Sequence, residues 1–127
     1  MRLHAVTLVV PDYDEGIAFF VGKLGFDLIE DSLRGEGKRW VMVAPRGAET
    51  RLLLAEGRGE RQRAAIGNQT GGRVGFFLET DDFARDHAAF IAKGVSFTEA
   101  PRAEPYGRVA VFRDDFGNLW DLIEYAA

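Results

Sequence analysis

The chain is punctuated into short apolar runs and polar stops. Ala5 to Val10 is apolar and β-branched, and Pro11-Asp12 ends it. Asp12 with Glu15 three positions later has the pattern of an N-cap and capping box, which predicts a helix. Within Tyr13 to Leu24 the residues Ile17, Phe20, Val21 and Leu24 recur at three- and four-residue steps, and Gly25 stands where a terminating glycine belongs. Phe26 to Glu30 then alternates as a strand, and Arg39–Val43 and Arg51–Ala55 read as two more.

The same series returns. Val74 to Leu78 is apolar, Thr80-Asp81-Asp82 caps, Phe83 to Lys93 is periodic through Phe83, His87, Phe90 and Ile91, Gly94 terminates, and Val95 to Glu99 alternates. Asp82, Phe90 and Lys93 follow Asp12, Phe20 and Lys23 by 70 positions, and Gly94 follows Gly25 by 69, so one deletion reconciles the halves. Arg108–Phe112 matches Arg39–Val43, and Leu119–Glu124 matches Arg51–Ala55. The chain therefore reads as an α+β domain over 1–127, built from two β-α-β-β-β modules at 1–56 and 73–127. The polar linker 57–72 contains a short predicted helix at Arg61–Ile66. One helix cannot cover both faces of a sheet, so the modules are expected to pair and leave a curved, half-open face for a ligand.

Composition narrows the possibilities. The 127 residues are 46% hydrophobic, enough for one core and too few for two large domains. A net charge of −4 lacks the basic footprint of a nucleic-acid or anionic-membrane binder. With no cysteine there is no disulfide framework, thiolate zinc site, iron–sulfur cluster or cysteine nucleophile. The first residues lack the pattern of a secretory leader and no apolar run reaches membrane-span length, so cytoplasmic residence is expected. Gly71-Gly72 and Gly75 lead into a strand rather than a helix, which disfavours a phosphate loop.

Leu8-Val9-Val10-Pro11-Asp12 through Phe20, Leu24-Gly25-Phe26, Thr80-Asp81-Asp82-Phe83 and, most specifically, Phe112-Arg113-Asp114-Asp115-Phe116-Gly117-Asn118-Leu119-Trp120-Asp121-Leu122-Ile123-Glu124 resemble the vicinal oxygen chelate superfamily. That superfamily includes glyoxalase I, extradiol dioxygenases, fosfomycin-resistance enzymes and bleomycin-resistance proteins. The resemblance covers nearly the whole chain and implies a cup-shaped, half-open barrel, often within a homodimer. It also implies a divalent metal held by the first and last strand of each module, which would act as a Lewis acid on a chelating substrate. The ligand positions carried over are Ala5, Gly75 and Asp121, with the fourth at Arg51 by the repeat or at Leu53 if the turn is two residues longer. Only Asp121 is a donor. His4 is one residue out of register and would need a β-bulge to join it, whereas a strand-end position needs none.

Period-two alternation from Asp121 selects one face: Leu119 and Ile123; Ala5, Thr7 and Val9; Arg51, Leu53 and Ala55; Gly75, Phe77 and Glu79. The other face, with Val6, Leu8, Val10, Leu52, Leu54, Phe76, Leu78, Trp120 and Leu122, is uniformly apolar and predicts the core under the helices. Arg51 and Asp121 either anchor and orient a ligand, with Asp121 as a general base, or form a salt bridge in place of the metal. Glu104 and Tyr106, in a proline-stiffened loop, join Asp121 as catalytic candidates. Phe77, Glu79, Trp40 and Gln69 join Arg51 as ligand-binding candidates, with Trp40 open to core packing and Gln69 to solvating a turn. His87 sits on the apolar helix stripe and is expected in or near the core. The first functional expectation is a glyoxalase/bleomycin-resistance-like homodimer that binds a small organic molecule with no cofactor. One alternative is a divalent-metal lyase, isomerase or dioxygenase that uses Asp121 with His4, Glu79 or Glu124. The other is a drug- or toxin-sequestering protein.

Overall fold

The computed structural model describes residues 1–127, which divide into two compact units, Met1–Ile66 and Gly67–Ala127. The first unit runs β1 (Ala5–Val10), α1 (Tyr13–Ile17) continuing as a π-helical segment (Ala18–Lys23), β2 (Asp27–Gly35), β3 (Lys38–Ala44), β4 (Arg51–Glu56) and α2 (Gly59–Ala65). Its sheet has the order β1-β4-β3-β2, with β1 and β4 parallel and the other pairs antiparallel. The second unit runs β5 (Val74–Glu79), α3 (Phe83–Ala92), β6 (Ser96–Phe97), β7 (Arg102–Glu104), β8 (Gly107–Arg113) and β9 (Leu119–Tyr125). Its order is β5-β9-β8-β6, and β7 also pairs with β8. Each unit is thus a βαβββ module of an α+β fold. α2 belongs to the first unit, and β7 adds a short strand where the sequence suggests a loop. No helix is long and apolar enough to cross a membrane.

Both helix starts are capped as the sequence predicts: Asp12 Oδ1 accepts from the Glu15 backbone N–H at 2.8 Å and Asp82 Oδ1 from that of Arg85 at 3.1 Å. The first helix departs from a simple α-helix after Ile17. The Leu24 N–H bonds the Phe19 carbonyl at 3.0 Å, five residues back. The wider turn buries the adjacent Phe19 and Phe20 together, their rings edge to face at 5.1 Å, which a 3.6-residue period does not anticipate. Gly16 sits where a Cβ would come within 2.9 Å of Leu54 Cδ1, so its small size lets the helix lie close on β4.

The predicted core face is realised. Leu8, Val10, Leu52 and Leu54 are buried in the first unit, and Trp120 and Leu122 in the second, where Phe112 stacks on Trp120 at 5.7 Å. Phe76 and Leu78 of edge strand β5 are only half-buried, and Val6, near the start of edge strand β1, is 39% exposed. His87 lies between the rings of Phe83 and Phe97, as its place on the helix stripe predicts. The Asp114–Asn118 turn leading into β9 is organised by Asp114. Its buried carboxylate accepts from the backbone of Phe116 and Asn118, from Asn118 Nδ2 and from Trp120 Nε1.

Candidate ligand-binding faces

The second faces of the two sheets, away from α1 and α3, carry the polar groups. In the second unit the ladder pairs Asp121 with Phe77 on one side and Val111 on the other. Val109 pairs with Ile123 and with Arg102, and side chains directly opposite share a face. Asp121, Phe77, Val111, Ile123, Val109, Arg102 and Glu104 therefore share one face of the sheet, on which Val109 and Ile123 are buried. Glu99 joins them, since its Oε2 accepts from the Val111 N–H at 3.2 Å and from Arg102 Nε at 2.9 Å. Arg102 also donates to Glu104 Oε1 at 2.7 Å. Bonds to Glu99, then Glu104, and lastly Tyr106 raise the Arg102 guanidinium's pKa above its ordinary value. Tyr106 occupies the two-residue turn between β7 and β8 and is half exposed.

Asp121 differs from its neighbours in having a buried Oδ1 with no hydrogen-bond partner. Burial pushes its carboxyl above the usual range, the Arg102 charge pulls it back, and the Glu99 charge raises it further. A carboxyl so placed is suited to meeting a ligand's N–H or O–H, the interaction that would satisfy its free oxygen.

In the first unit Trp40 is 38% exposed, which settles the alternative of full core packing against it. The Arg34 guanidinium lies 5.3 Å above its ring. Trp40, Leu53 and Ala55 line a groove of about 510 Å³ together with Arg58, the N-cap of α2, and Gln62 within that helix. Arg51, the first residue of β4, shares the face of Leu53 by alternation, and its buried Nε has no partner. Both orphaned buried side-chain atoms of the chain thus belong to candidates named from the sequence.

The ladders correct one equivalence. Thr7 pairs with Leu53 and Phe77 pairs with Asp121. Because Phe77 follows Thr7 by the same 70 positions as Asp82 follows Asp12, the counterpart of Asp121 is Leu53 and not Arg51. The segment before β4 spans 45–50, one residue longer than the segment 114–118 before β9, and that second deletion adds to the first. Gly75 falls in the register shift between Val74 and Phe76. Ala5, Gly75 and Leu53 offer no metal donor, and no three His, Cys, Asp or Glu side chains are grouped to hold an ion. The residues do not fit the metal that the resemblance implies.

The remaining candidates stand apart. His4 is exposed and precedes β1, with only its backbone carbonyl engaged, by the Arg51 N–H at 3.0 Å. Glu79 is exposed at the end of β5 in a polar cleft with Arg108, Glu124 and Tyr125. Glu124 is taken up structurally, accepting from the first N–H of α3, that of Phe83, at 2.6 Å. Gln69 is exposed in the turn before β5, in neither cluster. Sequence reasoning missed Arg102 and Glu99. The signal available was their three-residue spacing, with Glu104 two positions further on, on a segment too short to declare itself a strand.

A model of the Glyoxalase/Bleomycin resistance protein/Dioxygenase superfamily matches residues 2–122, and the chain belongs to that superfamily. It is similar to an uncharacterized protein of Shewanella frigidimarina (strain NCIMB 400), at 52% identity over 121 residues, 94% of this chain and 90% of that one. Among solved structures it resembles UcmS2, with a TM-score of 0.84, 32% identity and 97% of each chain covered. It also resembles TnmS3, an antibiotic binding protein from Streptomyces sp. CB03234, with a TM-score of 0.80, 31% identity, and 99% of this chain and 97% of that one covered.

Proposed function

We propose that the protein binds a small organic molecule on the second face of a module's sheet without a resident metal, and that it sequesters its ligand rather than transforming it. The observation that carries this reading is the donor set. Of the positions where the resemblance implies metal ligands, Ala5, Gly75 and Leu53 cannot coordinate, while Asp121 stands with a free buried oxygen beside Phe77. Such a surface suits an apolar molecule carrying a few polar groups. The likeness to an antibiotic binding protein supports sequestration, so antibiotics are the ligand class to screen first, aromatic ones foremost because Trp40 and Phe77 are exposed.

In this reading each unit is taken by itself: Trp40 supplies apolar contact and Arg51 a polar point on the first, and Phe77 and Asp121 do the same on the second. Glu104 and Tyr106 act through Arg102, which they hold beside Asp121. A homodimer is part of the proposal, by likeness to the superfamily, and sedimentation of the purified protein tests it. The functional test uses metal-stripped protein in a thermal-shift screen of apolar aromatic antibiotics, followed by chromatographic recovery of each hit after long incubation. Stabilisation with quantitative recovery of intact ligand is expected. Conversion of the ligand, or stabilisation only after a divalent metal is restored, would overturn the reading.

A further inference from the structure

We propose that the groove of the first unit selects a planar aromatic acid, its ring system against Trp40 and its anionic group at Lys38 and Arg58. This rests on the reading of the chain as a binder of small organic molecules and specifies the chemistry of one site. The groove holds about 510 Å³, within the range of small-molecule pockets. Its apolar surface comes from Leu53 and Ala55 of β4 and the half-exposed indole of Trp40 on β3. The Arg34 guanidinium lies over this ring, and the part of the indole left exposed offers apolar contact to a flat aromatic partner.

Charge around the groove decides the sign of the ligand. Its lining includes Arg34, Lys38, Arg39 and Arg58 but only one acid, Glu56, in a chain whose net charge is −4. The cationic character is therefore local. The carboxylates beside its arginines are engaged. Glu30 accepts from Ser32 at 2.7 Å and from Arg34 at 3.1 Å. Asp31 and Asp14 hold Arg39 at 2.8 and 3.0 Å, and Glu56 lies 3.6 Å from Arg58. On the cationic side, Arg39 is fully committed to its two acids and to the Tyr13 ring, over which it lies at 5.2 Å. Arg58 has one long ion pair, and its guanidinium lies beside the β2–β3 turn, 4.0 Å from where a Cβ on Gly37 would stand. Lys38, which begins β3 next to Gly37, has no acidic partner. An incoming anion finds an unpaired ammonium and a loosely paired guanidinium among four lining cations, whereas an incoming cation finds one lining carboxylate, Glu56, that already faces Arg58.

The test titrates the full-length protein with three naphthalenes that share one ring system: naphthalene-2-sulfonate, naphthalene-2-carboxamide and 2-naphthylmethylammonium. Calorimetry gives the affinities. Tryptophan fluorescence gives the location, because Trp40 is 38% exposed and Trp120 only 3%. Expected is binding of the sulfonate about tenfold or more tighter than that of the ammonium, with Trp40 emission quenched and affinity falling as salt rises. Lys38→Gln is expected to weaken the sulfonate about 3- to 10-fold and to leave the carboxamide unchanged. Trp40→Leu should remove the quenching and weaken both. Equal affinity for all three probes, or sulfonate binding untouched by Lys38→Gln and Trp40→Leu, overturns the groove's selectivity and leaves the broader binding reading standing. Absence of binding by any probe overturns the groove as a site, and the broader reading falls with it only if the antibiotic screen is also empty. Lys38 is exposed, so its variant remains informative if Trp40→Leu folds poorly.

Discussion

Trp120 Nε1 donates to Asp114 Oδ2 across 3.1 Å, tying the largest side chain of the last strand to the turn that launches it. The same carboxylate holds Asn118 through backbone and side chain, and Phe116 through its backbone. The most distinctive stretch of the sequence, Phe112 to Glu124, is therefore first a folding device, and Asp121 is set in place by it.

Asp114→Ala leaves four donors without their acceptor in a buried turn and is expected to cost on the order of 3 kcal/mol. Urea unfolding measures it, and a midpoint equal to the parent's would show that water replaces the carboxylate without loss.

Trp120→Ala removes a ring that is 3% exposed and stacked between Phe76 at 4.5 Å and Phe112 at 5.7 Å. A loss of about 3–5 kcal/mol is expected. An unchanged melting curve would contradict the assignment of Trp120 and Leu122 to the buried face.

Asp121→Asn tests the raised carboxyl. A folded-state pKa above the unfolded value means that the group favours the folded state below its unfolded pKa and loses that contribution as pH rises through the folded pKa. The amide does not titrate, so the variant's Tm is expected to overtake the parent's as pH rises from acid toward neutral. A Tm difference independent of pH would show that burial does not act on this group.

Arg51→Ala is expected to weaken binding of a verified ligand about tenfold, the worth of one charged hydrogen bond, while leaving the fold intact. The buried, unpartnered Nε motivates this expectation. An unchanged Kd would remove Arg51 from the site.

The elements were legible in the sequence because each is bounded by a residue with one physical use: Asp12 and Asp82 cap, and Gly25 and Gly94, at φ 76 and 85, take the left-handed conformation that ends a helix. The face assignment was legible as well, since strand alternation is rigid and Leu8, Val10, Leu52 and Leu54 allow one parity. What stayed hidden depends on backbone detail. The π turn that buries Phe19 breaks the helical period, and β7 is too short to show alternation. The pairing of Leu53 with Thr7, and so its equivalence to Asp121, depends on a one-residue difference between two turns. Arg102 escaped notice because its importance comes from cross-strand pairing with Val109, which brings Glu99 and Glu104 to the face of Asp121.

The most direct test of the central claim, that the protein binds its ligand without a resident metal, is plasma mass spectrometry of protein purified without an affinity tag, followed by titration of the stripped protein with nickel, zinc, manganese and iron(II). Substoichiometric metal content and no tight binding of any of the four ions are predicted, with ligand affinity unchanged by chelator. Stoichiometric tight binding that disappears in Asp121→Ala would contradict the account and make Asp121 a metal ligand.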